Sequence, residues 1–224
     1  MAEEIGAGLV VVGSRGLGGV PRALLGSTSE GVVHHAHCPV LVVRDGERAR
    51  DGLPGRVLAA LDGSEEADAA VGVAAEVSAA ISSELHIVYC LHTDPVAPFP
   101  FTREEWDAQN ERTRHRARRF VDRKAAELET TDVGLKDAHL ALGEPRKEIV
   151  KLGEELEAGL IVVGSRGLGG LARTLMGGVS DAVVRHAHCP VLVVRKSAPA
   201  GNLESEADRV RERSGIAPGG EERR

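Results

Sequence analysis

Gly164, Gly167 and Gly177 stand at G-x2-G-x9-G spacing, followed by Gly178, Val179 and Ser180. Gly13, Gly16 and Gly26 repeat the spacing near the start of the chain, followed by Ser27. Each series follows an apolar, β-branched run, Leu160–Val163 or Leu9–Val12. Glycine serves where a backbone must approach an anion closely or take φ > 0. A strand that turns through glycines into a helix offers outward N–H donors at the positive end of the helix dipole, which suits phosphate. Neither series is a P-loop, since no Gly-Lys-Ser/Thr closes it, and GSRGLGG lacks the G-x-G-x-x-G fingerprint. A tight strand-to-helix turn with no ligand fits the same residues. Arg15 and Arg166 sit in these turns, where a guanidinium either reaches phosphate or rests in solvent.

Other groups are also of types that could do chemistry. Asp62 is the carboxylate at the end of an apolar run, Val57–Leu61, in the position where open α/β sheets bind ligands. His34, His35, His37 and Cys38, with counterparts His186, His188 and Cys189, invite a metal reading. A zinc site needs four converging ligands, and these residues read better as helix-end and packing groups, so no metal is expected. Cys38 and Cys189 precede proline and an apolar run, the setting of small core residues. For catalysis there is no G-x-S-x-G elbow, no H-E-x-x-H and no Cys/His pair with an orienting partner. The basic residues Arg112, Arg114, Arg116, Arg118 and Arg119 are interspersed with acids and read as a solvated helix surface.

The elements that must position these groups come as a repeat. Ala7–Arg44 and Ala158–Arg195 are identical at 28 of 38 positions, at a constant offset of 151 residues. One structural unit is built twice. In the first copy Leu9–Val12 reads as a strand buried on both faces, Arg22–His35 as a helix and Val40–Val43 as a second buried strand. Between the copies, Val57–Leu61, Leu85–Leu91 and Leu135–Leu142 read as strands. Glu65–Ala80, Thr102–Leu128 and Pro145–Leu156 read as helices. Ser64 and Asp62 are candidate N-caps, Thr102 with Glu105 has capping-box spacing, and Pro145 opens its helix. Strands alternating with helices predict a parallel sheet covered on both faces. The expected divisions are a partial domain over 1–46, a linker over 47–55, a complete domain over 56–196 and a charged, disordered tail over 197–224.

Composition narrows the partners. The net charge of −6 gives no global drive toward nucleic acid or anionic membrane. Aromatics at 2% leave few stacking platforms for single strands. No stretch reaches the ~20 apolar residues of a membrane span, and the acidic start is unlike a signal peptide. Three cysteines make no disulfide framework and point to a reducing, cytoplasmic setting.

The Asp at the end of the first strand, the GSRG turn, the second glycine element nine residues on and the ending HAHCPVLVVR resemble the universal stress protein (UspA) family. The resemblance covers Arg56–Arg195 as a whole domain and Ala7–Arg44 as the last third of a preceding one, a tandem protein with a shortened first domain. It implies an open five-stranded parallel sheet in order 3-2-1-4-5 with helices on both faces. It also implies ATP, with or without Mg2+, held through G-x2-G-x9-G-(S/T). Carried over by position, Asp62 faces the adenosine end, and Val163 and Cys90 line the base pocket. Gly164 and Gly167 border ribose and α-phosphate, and Gly177, Gly178, Val179 and Ser180 wrap the phosphates; Arg166, from its place in the turn, is counted with the nucleotide-binding residues. Gly178 departs from the pattern, which prefers a hydroxyl there. Gly13, Gly16, Gly26 and Ser27 form a degenerate partial site with no Asp in front of it.

The resemblance implies a stress-response protein that binds an adenine nucleotide and acts by association. Competing readings are slow ATP hydrolysis or self-phosphorylation at Ser165 or Ser180, and a nucleotide-free interaction module. Two strands and one helix cannot bury both sheet faces unaided. The first repeat is therefore expected to dock on the complete domain, within the chain as a pseudo-dimer or between chains as a homodimer, and the resemblance, in which last strands meet across a dimer interface, implies that Val40–Val43 meets Val191–Val194.

Overall fold

Short β-branched runs form the sheet and alanine-rich or charged segments form its helices. The computed structural model describes residues 2, 4–14, 25–44, 54–92, 98, 100–130, 134–167 and 176–195. Arg15, Gly16, most of the linker and the tail beyond residue 196 lie outside the described residues. In chain order the elements are β1 (Val10–Gly13), α1 (Ser27–His35), β2 (Val40–Val43), β3 (Arg56–Leu61), α2 (Glu65–Ile81) and β4 (Glu84–Leu91). They continue with α3 (Arg103–Glu129), β5 (Leu135–Leu142), α4 (Pro145–Glu155), β6 (Leu160–Gly164), α5 (Gly178–His186) and β7 (Val191–Val194).

The helix starts follow their caps. Ser64 accepts from the Ala67 amide, and Asp62 Oδ1 accepts from the Ser64 amide at 2.9 Å. Thr102 and Glu105 complete a capping box ahead of α3. The guanidiniums of α3 pair along their own helix, Arg103 with Asp107 and Arg118 with Asp122. Of the helix expected over Arg22–His35, Arg22–Leu24 lie outside the described residues and the described helix runs from Ser27 to His35. Gly26 is extended, with ψ 144°, and its amide donates to the Ser14 carbonyl at 2.9 Å, so α1 starts after it.

All seven strands join one sheet in the order β1-β2-β7-β6-β3-β4-β5. Every neighbouring pair is parallel except β2 and β7, which run antiparallel with Leu41 opposite Leu192. Leu41 and Leu192 are equivalent residues of the repeat, so a local twofold relates the copies. Side chains obey it too. Arg195 Nη2 donates to the Val33 and His34 carbonyls at 2.6 and 2.9 Å, and the equivalent Arg44 donates to the Val184 carbonyl.

The core lies on both sides of the sheet. Leu58, Val88, Val163 and Val193 pack with Ile149 of α4, Val183 of α5 and Val33 of α1 on one side. Val57, Ile87 and Val162 pack with Ala70 and Ala74 of α2 and Val121 of α3 on the other. β1 departs from the expectation of burial on both faces, because Val11 is 57% exposed while its counterpart Val162 is fully buried. β1 is an edge strand, and among the described residues no helix covers the face that α2 covers on β6.

Beneath α4, His86 Nδ1 lies 3.2 Å from His139 Nε2 with the rings stacked. Burial first, and then the neighbouring His139, lower the His86 pKa, while Glu84 and Asp137 oppose the shift. The unfolded chain takes up this proton near ~6.5 and the folded chain only at lower pH. Stability from keeping His86 neutral is therefore present above ~6.5 and lost as pH falls through the folded value. Melting temperature by calorimetry is expected to fall between about pH 7.5 and about pH 5, more gently in His86→Gln. Equal slopes in the two proteins would contradict this.

Candidate functional site

The carboxyl ends of β3, β4 and β6 and the start of α5 enclose a cavity of about 700 Å³. Asp62, Cys90, Val163, Gly164, Arg166, Gly167, Gly177, Gly178, Val179 and Ser180 all line it. Ala60, Leu61, Ala67, Tyr89, Leu91, His92, Pro145, Ile149 and Met176 complete the wall. No motif in the sequence marks these last residues. Their place depends on which strand neighbours which, although the opening Pro145 of α4 was a visible signal.

The glycine turn is closed by its own hydrogen bonds. The Ser165 amide donates to the Val194 carbonyl at 2.7 Å, and the Gly177 amide donates to the Ser165 carbonyl at 2.8 Å. Ser180 Oγ donates to the Gly164 carbonyl at 2.6 Å. The first copy repeats each bond: Ser14 to Val43 at 2.7 Å, Gly26 to Ser14 at 2.9 Å and Ser29 Oγ to Gly13 at 2.6 Å. Gly13, Gly26 and Ser27 thus keep the cassette geometry, but among the described residues no counterpart of β3 stands beside β1.

Two expectations change here. Ser180 does not present its hydroxyl to a ligand, because that group is spent on Gly164 and the residue is 6% exposed. Ser165 is fully buried, so neither serine is set out as a phosphoryl acceptor in this conformation. None of the cavity glycines Gly164, Gly167, Gly177 and Gly178 uses a positive φ. Close approach accounts for Gly164 instead: an added Cβ would lie 2.9 Å from the Glu66 backbone at the start of α2. At Gly167 it would strike Asp62 Oδ2 at 2.1 Å.

The polar equipment is sparse. Helix geometry leaves the first-turn amides of Gly178, Val179 and Ser180 without acceptors inside α5, and the N-cap Gly177 supplies no side chain. Arg166 Nη2 is held by Glu66 at 3.3 Å, and its buried Nε has no hydrogen-bond partner. Arg195 lies close enough that burial first, and then the charge of Arg166, lower its pKa. Burial pushes the Cys90 thiol up to about 12, with the Glu148 carboxylate adding to it, so it stays neutral and serves as wall. Asp62 is the one carboxylate among the described lining residues. A Mg2+ ion here would rest mainly on ligand phosphates, as that ion commonly does.

Taken together, the features define an open α/β protein with a preformed, largely apolar ligand cavity at its sheet's carboxyl edge. The family model described as the universal stress protein family matches residues 1–44 and 54–195. The universal stress protein Rv2623 of Mycobacterium tuberculosis is 33% identical over 197 residues, covering 84% of this chain and 62% of that protein. The universal stress protein MJ0531 of Methanocaldococcus jannaschii is 30% identical over 155 residues, covering 69% of this chain and 88% of that protein. Among solved structures, a universal stress protein from Archaeoglobus fulgidus superposes with a TM-score of 0.60 at 29% identity, covering 87% of this chain and 64% of that one. The chain belongs to the universal stress protein family. It spans about 62% of the length of the first mycobacterial relatives it matches.

Gly164→Ala would force the start of α2 off β6, since the obstructing atoms are backbone. A loss of about 1–3 kcal/mol, the usual cost of overpacking, is expected in urea titration. Gly178→Ala, where an added Cβ meets nothing within 4 Å, is expected to stay within about 1 kcal/mol of the parent.

Proposed function

We propose that this chain binds an adenine nucleotide, ATP or AMP, in the cavity beside Asp62 and acts in a stress response by association rather than catalysis. The observation that carries the reading is the convergence of the apolar pocket, Asp62 and the open amides of α5 on one cleft. The apolar wall of Ala60, Cys90, Ile149, Val163 and Met176 fits a base. Asp62 stands where a ribose hydroxyl would donate to it. The α5 amides and Arg166 supply donors and positive charge for phosphates. Bound ATP would add the charge and the extra phosphates, and the chain's own groups would orient them.

Association is the reading we favour over catalysis: among the described lining residues Asp62 is the one carboxylate and the Cys90 thiol stays neutral. Slow hydrolysis or self-phosphorylation is the second reading, weakened by the burial of Ser165 and Ser180. A cytoplasmic site of action, and assembly through β2 and β7 as an intrachain pseudo-dimer, belong to the same proposal. Purified protein is expected to release an adenine nucleotide on denaturation, read by absorbance and mass. A nucleotide-free protein with no calorimetric response to ATP would leave the cleft as architecture.

Asp62→Ala is expected to remain folded and to bind ATP at least several-fold more weakly, since a hydrogen bond to a charged group contributes roughly 1.5–3 kcal/mol. Unchanged calorimetric affinity would remove Asp62 from the site.

Position 178 tests the phosphate end. The equivalent residue in the first copy is Ser27, and an added side chain at Gly178 has open space. Gly178→Ser is expected to tighten ATP by a few-fold, on the order of the ~1 kcal/mol of one hydrogen bond. Weaker or equal binding by the variant would deny a hydroxyl contact there.

A further inference from the structure

The local twofold brings together groups that no stretch of sequence shows as a set. Glu30 and His34 are four residues apart on α1 and share a face of it. Asp181 comes from α5, in the other repeat. Their ligand atoms all lie within 4.8 Å of one another. Arg185, four residues beyond Asp181, donates to Glu30 Oε1 at 2.5 Å and to Asp181 Oδ2 at 2.9 Å. The equivalent of Arg185 is His34, so one of the two symmetry-related corners carries an imidazole in place of a guanidinium. The substitution leaves a defect. His34 Nε2 is buried without a hydrogen-bond partner, and Asp181 Oδ1 is 3.6 Å from it, beyond hydrogen-bond reach.

We propose that Glu30, His34 and Asp181 form a divalent transition-metal site, of the zinc class, across the junction of the two repeats. One imidazole nitrogen and two carboxylate oxygens form a mixed donor set that suits Zn2+, Co2+ or Ni2+ better than Mg2+ or Ca2+. Three protein ligands leave a fourth tetrahedral position for water. The imidazole nitrogen that lacks a partner gains one. The two carboxylates already stand together because a cation, the Arg185 guanidinium, holds them. That side chain is 24% exposed, and a metal ion would take over its carboxylates as it swings into solvent. Metal and Arg185 are therefore competitors for one anionic site. Ligands from α1 and α5 together mean that occupancy ties the first repeat to the second and stabilises the folded chain by mass action.

The test uses the full chain stripped of metal by a chelator and titrated with Zn2+ in a calorimeter. One equivalent is expected to bind and to raise the melting temperature, with no response to Mg2+. His34→Gln should lower Zn2+ affinity by more than tenfold, because even outer partners of metal ligands are worth about 10–100-fold. Arg185→Gln should tighten it, since the competing cation is gone. Co2+ should give a visible spectrum without a thiolate charge-transfer band. Circular dichroism checks that each variant is folded, and Glu30→Gln replaces His34→Gln if the latter is not. Zn2+ affinity equal to that of the parent in the folded ligand variant overturns the site. So does a thiolate band, which moves the metal to a cysteine, or weaker Zn2+ binding in Arg185→Gln.

Discussion

Everything at the ligand-facing edge hangs on the dipeptide Gly164-Ser165. Its two residues tie β6 to three other elements at once. The missing Cβ of Gly164 lets the start of α2 sit against β6, and the Gly164 carbonyl takes the Ser180 hydroxyl of α5. The Ser165 amide ties the turn to β7, and its carbonyl fixes the N-cap Gly177. Each bond is worth on the order of 1 kcal/mol net. Their joint effect is geometric, because they aim the first turn of α5 into the cleft before any ligand arrives. Preorganised donors of this kind cost no reordering when an anion binds. The first copy keeps the same bond lengths to within 0.1 Å without β3 or α2 beside it. The turn is thus a property of the cassette, whereas the cavity is a property of its neighbours.

That distinction explains what could be read from the chain. The alternation of β-branched runs with helical stretches announced a largely parallel α/β sheet, and the Thr102–Glu105 box marked the start of α3. Spacing of glycines, the terminal Asp62 and the family resemblance pointed to ten residues that the fold gathers around one cavity. The rest of the wall was invisible because Tyr89, Ile149 and Met176 join it only once β4, α4 and the glycine turn are adjacent. The start of α1 is not legible from apolar spacing. Leu25 has helical spacing with later apolar residues, yet it precedes the extended Gly26 and is buried there, as Met176 is in the second copy.

Burial differs between near-identical sequences for the same reason. Val11 and Val162 are equivalent, but one lies largely in water and the other has no exposed surface. Strand propensity is the same for both; only the covering α2 and the neighbouring β3 differ. Leu9 and Val11 therefore place an apolar strip on an edge strand, the feature that sheets usually cover or interrupt. On the opposite side β2 solves its edge by pairing with β7.

The antiparallel seam is short, with three residue pairs in register, and cannot by itself fix two repeats. Its side chains add directional contacts at both ends. Arg195 and Arg44 reach across to the last carbonyls of the opposite repeat's helix, where a cation also meets the negative end of the helix dipole. Burying the Arg195 guanidinium is costly, and its pKa is lowered by burial, so the seam is held together by a group under electrostatic load. Arg166, the second source of that load, lines the ligand cavity. One charge in the wall of the cavity thus bears on the residue that bridges the seam, so the electrostatics of the two regions are not independent.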